Sequence, residues 1–347
     1  MDPPGSNVSD GNGSNCEIHS NSTVAQTMFT MYYSIILIVG SCGNILALHL
    51  TFKRRGKVSS TDIYLINLAL SDALFTFALP GRITYYILNF HWPFGDILCR
   101  ITAFIFYTNT YVGIYFMTCV SVDRYIAVVH ALQFSKLRTR RVVKYICLVA
   151  WCLVVLQTMP LLVKPMTKEN KNTVTCMEYF SFENMKLLPI LLLLACVIGY
   201  VMPVGIILFC YISVGFRLRK AAKNDSVADK NSQYKRAFTV IMVVLIAIVL
   251  CFTPYHINII QFMVKRLIYQ VSCSDNQTFK MSLQITVALM NMNCCVDPII
   301  YFFAFKGYKK KILSLFRSYV SGPTLSKTHS ENNSTSQNQA CTVLAEF

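Results

Sequence analysis

Seven long apolar stretches run along the chain, and polar or basic segments separate them. They lie near residues 26–52, 61–89, 97–129, 142–163, 187–215, 237–264 and 281–305. A bilayer core of about 30 Å needs roughly 20 mostly apolar residues per helix. Because unsatisfied backbone groups in hydrocarbon cost several kcal/mol each, such stretches predict helices rather than the shorter alternating strands of a barrel. The pattern therefore predicts an all-α membrane protein with a bundle of seven transmembrane helices over 26–305.

Composition and charge support this interpretation and orient the chain. Of the 347 residues, 54% are hydrophobic and 14% are charged, whereas ordinary soluble domains carry about 25% charged residues. No Lys or Arg precedes Lys53, and basic clusters then occupy alternate loops and the tail, near 53–57, 136–144, 217–236 and 306–317. Since short cytoplasmic loops collect basic residues, we expect a plasma-membrane protein with an extracellular N-terminus. The net charge of +16 then reflects topology and contact with lipid headgroups rather than nucleic acid.

The N-terminal segment, residues 1–25, is expected to be extracellular and glycosylated. Glycosylation acceptors occur at Asn7, Asn12 and Asn21, with another at Asn276 in the third outer loop. The segment has no basic region followed by a short apolar stretch and a cleavage site, so we expect no cleaved signal peptide.

Four of the 14 cysteines fall outside the membrane: Cys16, Cys99, Cys176 and Cys273. They allow three pairings. Cys99 begins the third helix and Cys176 is the only cysteine in the second outer loop, which favours that pair and leaves Cys16 with Cys273. The nine cysteines within spans are expected to pack as small hydrophobes and not to bind metal.

Ionisable residues within the spans are costly, so each is a functional hypothesis. They are Asp72, Arg82, Asp123, Arg124 and Asp297, with His49 and His256 as weaker cases. Short motifs surround several of them: Gly43-Asn44, Leu68 to Asp72, Asp123-Arg124-Tyr125, Trp151, Pro203 with Tyr211, Cys251 to Pro254, and Asp297 to Tyr301. Together, in order and one set per span, these motifs resemble the rhodopsin-like class of G-protein-coupled receptors.

That resemblance implies a switch at the cytoplasmic end. Arg124 would pair with Asp123 at rest and turn toward a G protein on activation, where Tyr211 and Tyr301 would converge with it. Tyr125 completes the motif, and Pro254 would act as a pivot for the sixth helix, with Pro203 and Pro298 as further bends. Tyr234 stands where these receptors usually have an acidic partner for Arg124, so we expect easy activation.

The resemblance also implies a sodium-and-water pocket formed by Asp72, Asn109, Asn293 and Asp297. A hard cation prefers oxygen ligands, and two carboxylates in a low dielectric would otherwise force one of them to take up a proton. A hydrogen-bonded acid pair without sodium is the alternative. No other metal and no other cofactor is expected.

The outer half of the bundle offers a candidate ligand pocket. Amine receptors carry an aspartate where this chain has Phe106, so monoamines are unsuitable. The candidate binding residues are Arg82, Tyr86, Phe106, Tyr107, Tyr111 and Tyr255. One guanidinium among aromatic rings suits an anionic lipid or a hydroxylated apolar ligand. The alternatives are that Arg82 reaches outward to headgroups and that the tyrosines pack between helices.

Several further runs resemble the Epstein-Barr-virus-induced, oxysterol-sensing group of these receptors: Cys99 to Ala103, Asn109 to Tyr111, Cys176 to Tyr179, and Cys251 to His256. The resemblance implies a dihydroxycholesterol ligand, coupling to the inhibitory class of heterotrimeric G protein, and guidance of lymphocyte migration. The chain departs from the group in its N-terminal segment, at Ala131 and in its tail.

The residue pattern after the seventh span predicts two further segments at the cytosolic end of the chain. Residues 306–318 form a short amphipathic pattern suited to the inner membrane surface. Residues 319–347 are mostly polar and are expected to be disordered. Their serines and threonines are candidate sites for receptor kinases, after which arrestin would bind the phosphates.

Other functions remain open on the sequence alone. A chemokine, a nucleotide or another lipid could be the ligand of a receptor with the same fold. A transporter or ion channel would use Asp72 and Asp297 as a cation relay, although no inverted repeat supports this reading. An enzyme is the poorest fit, because no intramembrane set of nucleophile, base or metal ligands is evident.

Overall fold

The structure is a computed structural model that describes residues 23–53, 58–170, 173–177, 187–223, 228–269, 271–304, 308 and 312–314. Within these residues, seven helices are long and apolar enough to cross a membrane. They are α1 (Thr23–Phe52), α2 (Ser60–Ile87), α3 (Gly95–Val129), α4 (Arg140–Val163), α5 (Leu188–Lys220), α6 (Tyr234–Ile268) and α7 (Ser274–Ala304). Helical structure continues to Lys223 after α5 and begins at Ala228 before α6 and at Cys273 before α7. The seven predicted spans are confirmed.

The helices belong to one compact unit, residues 1–309. Of a second unit, residues 310–347, only 312–314 are described, and these are helical. The predictions for the N-terminal segment, for Cys16, and for nearly all of the amphipathic helix and tail lie outside the described residues. They stay predictions.

The third helix is the centre of the bundle. It contacts α2, α4, α5, α6 and α7, and most of its side chains over 102–128 are buried. The outer helices instead expose large apolar side chains, such as Ile38 at 64%, Leu156 at 67% and Phe209 at 58%. Contiguous apolar surface of this kind is unfavourable in water, so the bundle is built for contact with lipid.

Five of the described helices are interrupted on the N-terminal side of a proline, which lacks an N–H and crowds the preceding turn. The interruptions are turns at 77–78 before Pro80 in α2, at 159 before Pro160 in α4 and at 292 ahead of Pro298 in α7, and wide π-helical turns at Val197–Val201 before Pro203 in α5 and at Ile248–Phe252 before Pro254 in α6. The break in α2 was not predicted. It makes Leu79–Ile87, which carries Arg82, a separate helical segment.

Small residues let α1 approach α7 closely. A Cβ atom on Gly43 would lie 2.4 Å from Cγ of Pro298, and one on Gly40 would lie 2.9 Å from Sγ of Cys294. Asn44 joins the same helices, since its Nδ2 donates to the Cys294 carbonyl at 2.9 Å and its Oδ1 accepts from the Tyr301 hydroxyl at 2.9 Å.

A short hairpin closes the outer side of α3. Its strands, β1 (Thr167–Asn170) and β2 (Thr173–Cys176), are antiparallel, with Thr167 opposite Cys176. Cys176 forms a disulfide with Cys99, as predicted. Asp96 also anchors the hairpin, because its Oδ1 accepts from the backbone N–H groups of Met166 and Thr167 at 2.8 and 3.0 Å.

Candidate functional site

A cavity, here called the outer cavity, opens between the outer ends of α2, α3, α5, α6 and α7. The empty space between its walls is about 810 Å³ when the solvent at its open mouth is included. Its wall is mainly apolar and aromatic, and its polar lining residues are Arg82, Arg266, Asn276, Lys280 and Gln284. Asn276, the predicted glycosylation acceptor, lies in the first turn after Cys273 and is half-buried. Its glycosylation stays a prediction.

A second space, the side cavity, adjoins the outer cavity through Tyr107 and Leu188, which line both. It measures about 870 Å³ and lies among α3, α4, α5 and α6. Tyr111 and Tyr255 also line it. The structure therefore brings four of the six predicted ligand residues, namely Arg82, Tyr107, Tyr111 and Tyr255, onto the walls of two adjoining cavities.

The other two predicted ligand residues lie elsewhere. Tyr86 is fully buried against α1, where its ring stacks on Phe29 at 4.9 Å and on Tyr33 at 5.4 Å between centroids. Phe106 is also fully buried and packs edge-on against Phe75 at 4.8 Å. The expectation that both add to the cavity wall is corrected, because each faces a neighbouring helix rather than the open space.

Arg82 is the buried cation of the outer cavity. Arg82 is only 5% exposed, so the alternative that its side chain extends to lipid headgroups does not hold. The guanidinium lies over the rings of Tyr85 and Tyr86, at 4.9 and 5.0 Å from their centroids, which partly replaces lost hydration. Its Nη1 donates to the Cys176 carbonyl at 3.3 Å, whereas its Nε has no hydrogen-bond partner among the described residues. A buried donor without a partner is costly and is suited to a polar group of a ligand.

His256, a weaker case in the sequence, lies beside the tyrosines. Its ring stacks on Tyr200 at 4.1 Å, with an interplanar angle of 8°, and Tyr111 and Tyr255 meet it edge-on. Nδ1 lies 2.8 Å from the carbonyl of Phe252 and so carries the proton of this bond, which leaves Nε2 as an acceptor without a partner in the described chain.

Polar residues also converge in the middle of the bundle, where Asp72, Asn109, Asn293 and Asp297 are all at most 2% exposed. Asn109 Nδ2 donates to Asp72 Oδ1 at 2.9 Å, and the Tyr301 hydroxyl approaches Asp72 Oδ2 at 3.4 Å. Both carboxylate oxygens of Asp297, both polar atoms of Asn293 and Oδ1 of Asn109 have no partner in the part of the chain that is described. Such a set of unpaired oxygens fits a hard cation with water.

The cytoplasmic end of α3 differs from the expectation. Asp123 accepts hydrogen bonds from Ser60 Oγ at 2.5 Å, from Thr61 Oγ1, and from Arg138 Nε at 2.8 Å. Arg124 donates to Thr61 Oγ1 at 2.6 Å. The predicted pairing of Asp123 with Arg124 is wrong for this structure. The short 3₁₀ helix Ser135–Arg138 returns toward α3 and supplies the cation instead.

The remaining activation residues link neighbouring helices. Tyr125 packs against Phe209 of α5 at 5.5 Å, and Tyr211 packs against Phe238 of α6 at 5.1 Å. Arg236 of α6 donates to the carbonyl of Ala304, the last residue of α7, at 2.6 Å. This contact was not predicted, although a cation at a helix C-terminus is a general stabilising arrangement.

Comparison with known proteins agrees with this architecture. Residues 43–301 match the model of the 7 transmembrane receptor (rhodopsin family). The chain is 47% identical to G-protein coupled receptor 183 of Homo sapiens over 89% of this chain and 86% of the relative, and 47% identical to G-protein coupled receptor 183-A of Danio rerio over 86% and 81%. It is 32% identical to lysophosphatidic acid receptor 6 of Gallus gallus over 84% of this chain and 93% of the relative.

Proposed function

Because the chain belongs to the rhodopsin family of seven-transmembrane receptors, we propose that it responds to a hydroxylated sterol, specifically a dihydroxycholesterol. It is a multi-pass protein of the plasma membrane, and its family is one of receptors rather than enzymes. The proposal includes coupling to inhibitory G protein, regulation by receptor kinases and arrestin, and guidance of lymphocyte migration. The observation that carries the ligand class is the pair of aromatic cavities beside the buried Arg82.

The residues that line the cavities suit the chemistry of a sterol. A sterol body needs apolar walls and only a few placed polar groups. Arg82 offers an unpaired Nε donor in the outer cavity, and Tyr111 offers a hydroxyl in the side cavity. Tyr107 and Leu188 line both cavities, and the proposal places one sterol along this shared wall, between Arg82 and Tyr111.

Substitution of these two residues tests the proposal. Loss of one hydrogen-bond partner in a dry site costs about 1–3 kcal/mol, which corresponds to a loss of potency of roughly 5- to 150-fold. We expect Arg82→Ala and Tyr111→Phe to shift the sterol concentration that half-activates G protein by such factors, with surface expression unchanged.

Tyr145→Phe is the matched control, because Tyr145 of α4 is 67% exposed on the lipid-facing side. Like Tyr111→Phe, it removes one tyrosine hydroxyl, but it should leave the potency of the sterol unchanged. Unchanged potency in both Arg82→Ala and Tyr111→Phe would reject this pocket.

A different lipid is the second candidate ligand. It is favoured by the similarity to a receptor that is named for lysophosphatidic acid. A screen of dihydroxycholesterols, lysophospholipids, chemokines and nucleotides on membranes that contain this chain distinguishes the candidates, since a response to sterols alone supports the first.

We further propose that Asp72, Asn109, Asn293 and Asp297 hold an allosteric Na⁺ in the resting receptor. The unpaired oxygens of Asp297, Asn293 and Asn109 support it. A bound cation would supply positive charge between the two carboxylates, and the alternative is an acid pair that shares a proton. Agonist affinity that is independent of Na⁺ concentration would favour the acid pair.

A further inference from the structure

A row of side chains connects Arg82 of the outer cavity to α7 by way of α1. The guanidinium carbon of Arg82 lies 5.0 Å from the ring centroid of Tyr86, and that ring stacks on Tyr33 of α1 at 5.4 Å, with an interplanar angle of 13°. The Tyr33 hydroxyl accepts a hydrogen bond from Nδ2 of Asn291 in α7 at 3.3 Å. We call these four residues the inter-helix stack.

The inter-helix stack is closed off from solvent, because all four of its residues are buried. Buried side chains are close-packed and transmit strain to their neighbours, so a displacement of Tyr86 reaches the ring of Tyr33. Asn291 Oδ1 has no hydrogen-bond partner among the described residues. In that part of the chain, the side chain of Asn291 is therefore held by its one hydrogen bond to Tyr33.

Both ends of the inter-helix stack lie at interruptions of helices. Arg82 and Tyr86 belong to the short segment that follows the turn at 77–78 of α2. Asn291 is the last residue before the turn that interrupts α7, and Asn293 of the central polar set follows that turn. Helices bend at such points, and a few residues at the end of an element can absorb a change in its direction. The stack thus joins the ligand arginine to a bend of α7.

We propose that Tyr33 is a positioning residue for the response to ligand. A ligand that engages Arg82 displaces Tyr86, the stacked ring of Tyr33 follows, and the hydrogen bond to Asn291 carries the displacement to the bend of α7. Tyr33 is not among the described residues that line either cavity, so it acts through its neighbours and not by contact with the ligand. The inference rests on the ligand-gated function proposed above.

The coupling between ligand and G protein tests this role. The affinity of radiolabelled dihydroxycholesterol is measured on receptor in lipid nanodiscs, with and without nucleotide-free inhibitory-class G protein. The ratio of the two affinities is the coupling factor, because coupling between two binding sites is reciprocal.

Tyr33→Phe keeps the aromatic ring and removes the hydroxyl that accepts from Asn291. We expect it to lower the coupling factor about 2- to 10-fold, which is the range for loss of one neutral hydrogen bond. Affinity in the absence of G protein should change less than about twofold, because the cavity walls are intact. A residue that only supported the fold would not separate the two affinities in this way.

Tyr32→Phe is the matched control. Tyr32 is the adjacent tyrosine of α1 and also donates to α7, at 2.6 Å from the carbonyl of Ala288, but it lies outside the inter-helix stack, so its loss should leave the coupling factor unchanged. Tyr33→Phe combined with Asn291→Ala should lower the factor no further than Tyr33→Phe alone, since both remove one interaction. In an Arg82→Ala background, Tyr33→Phe should have no effect on the coupling factor.

The outcomes separate this inference from the proposed function. If the sterol binds and the coupling factor is the same in wild type and Tyr33→Phe, the inference fails although the proposed function stands. Equal losses in Tyr32→Phe would also overturn it, because they would indicate a general loosening between α1 and α7.

If dihydroxycholesterol does not bind, the sterol proposal fails, and the same measurement is made with lysophosphatidic acid. The inference then stands if the coupling factor of that lipid depends on both Arg82 and Tyr33. It is overturned if the factor does not depend on them or if neither lipid binds.

Discussion

Arg138 should hold the cytoplasmic end of the receptor at rest, and Arg138→Ala should raise ligand-free G protein activation. Arg138 binds Asp123, Asp123 accepts from Thr61, and Thr61 accepts from Arg124. Loss of Arg138 removes a hydrogen-bond donor from Asp123 and so weakens the contact between Asp123 and Thr61. Thr61 is the α2 residue to which Arg124 donates. The inner end of α6 is meanwhile tied to α7 through Arg236, so we interpret this arrangement as the resting one.

The magnitude follows from the exposure of the two partners. A hydrogen bond to a charged group contributes about 1.5–3 kcal/mol, whereas an exposed ion pair contributes about 0.2–1 kcal/mol. The side chain of Arg138 is 31% exposed and that of Asp123 is 3% exposed. The contribution of the Arg138–Asp123 pair to the resting state should therefore lie between these two classes, at about 1–2 kcal/mol. A loss of that size changes the ratio of active to resting receptor by a factor of about 5–30.

The assay is nucleotide exchange by an inhibitory-class G protein on membranes with matched receptor amounts and no added ligand. Because the active state is the minor one at rest, a change in the ratio appears almost fully as a rise in basal exchange. Lys136→Ala is the control, since Lys136 is an exposed residue of the same 3₁₀ helix. Basal exchange that stays unchanged in Arg138→Ala, or rises equally in Lys136→Ala, would refute the reasoning.

Other substitutions test separate parts of the structure. Arg236→Gln removes the tie to the end of α7 and should raise basal exchange several-fold, and an unchanged rate would show that the tie does not restrain α6. Asp297→Asn should abolish the Na⁺ dependence of agonist affinity, measured by competition binding with Na⁺ or with a bulky organic cation, and retained dependence would place sodium elsewhere. Gly43→Ala would set a Cβ atom 2.4 Å from Pro298. Overpacking costs about 1–3 kcal/mol, so we expect a lower melting temperature in detergent. Gly205→Ala, whose added Cβ would meet nothing within 4 Å, should not lower it.

The sequence predicted the membrane fold because length and apolarity act locally. A stretch of about 20 apolar residues must be helical in lipid whatever its neighbours are. Asp72 and Asp297 were recognised as functional candidates because an ionisable group within a span is costly, whereas their place in one pocket was implied by the resemblance to the receptor family.

Side-chain partners were less predictable, because they depend on how helices rotate and break. The break in α2 at residues 77–78 sets the face on which Tyr86 lies, and that face packs on α1. Arg138 replaced Arg124 as the partner of Asp123 because a short helix of the following loop folds back. Lys280 was not considered for the pocket and Arg266 was not singled out, since cations near the ends of spans are common and only the packing shows which of them face inward.

The central claim is that a ligand in the outer and side cavities changes the state of the cytoplasmic end. Its most direct test uses purified receptor in lipid nanodiscs with purified inhibitory-class G protein, and measures nucleotide exchange with and without a dihydroxycholesterol. We expect the sterol to accelerate exchange in wild type and to do so only at roughly 5- to 150-fold higher concentration in Arg82→Ala. Sterol that binds saturably but leaves the exchange rate unchanged would contradict the account.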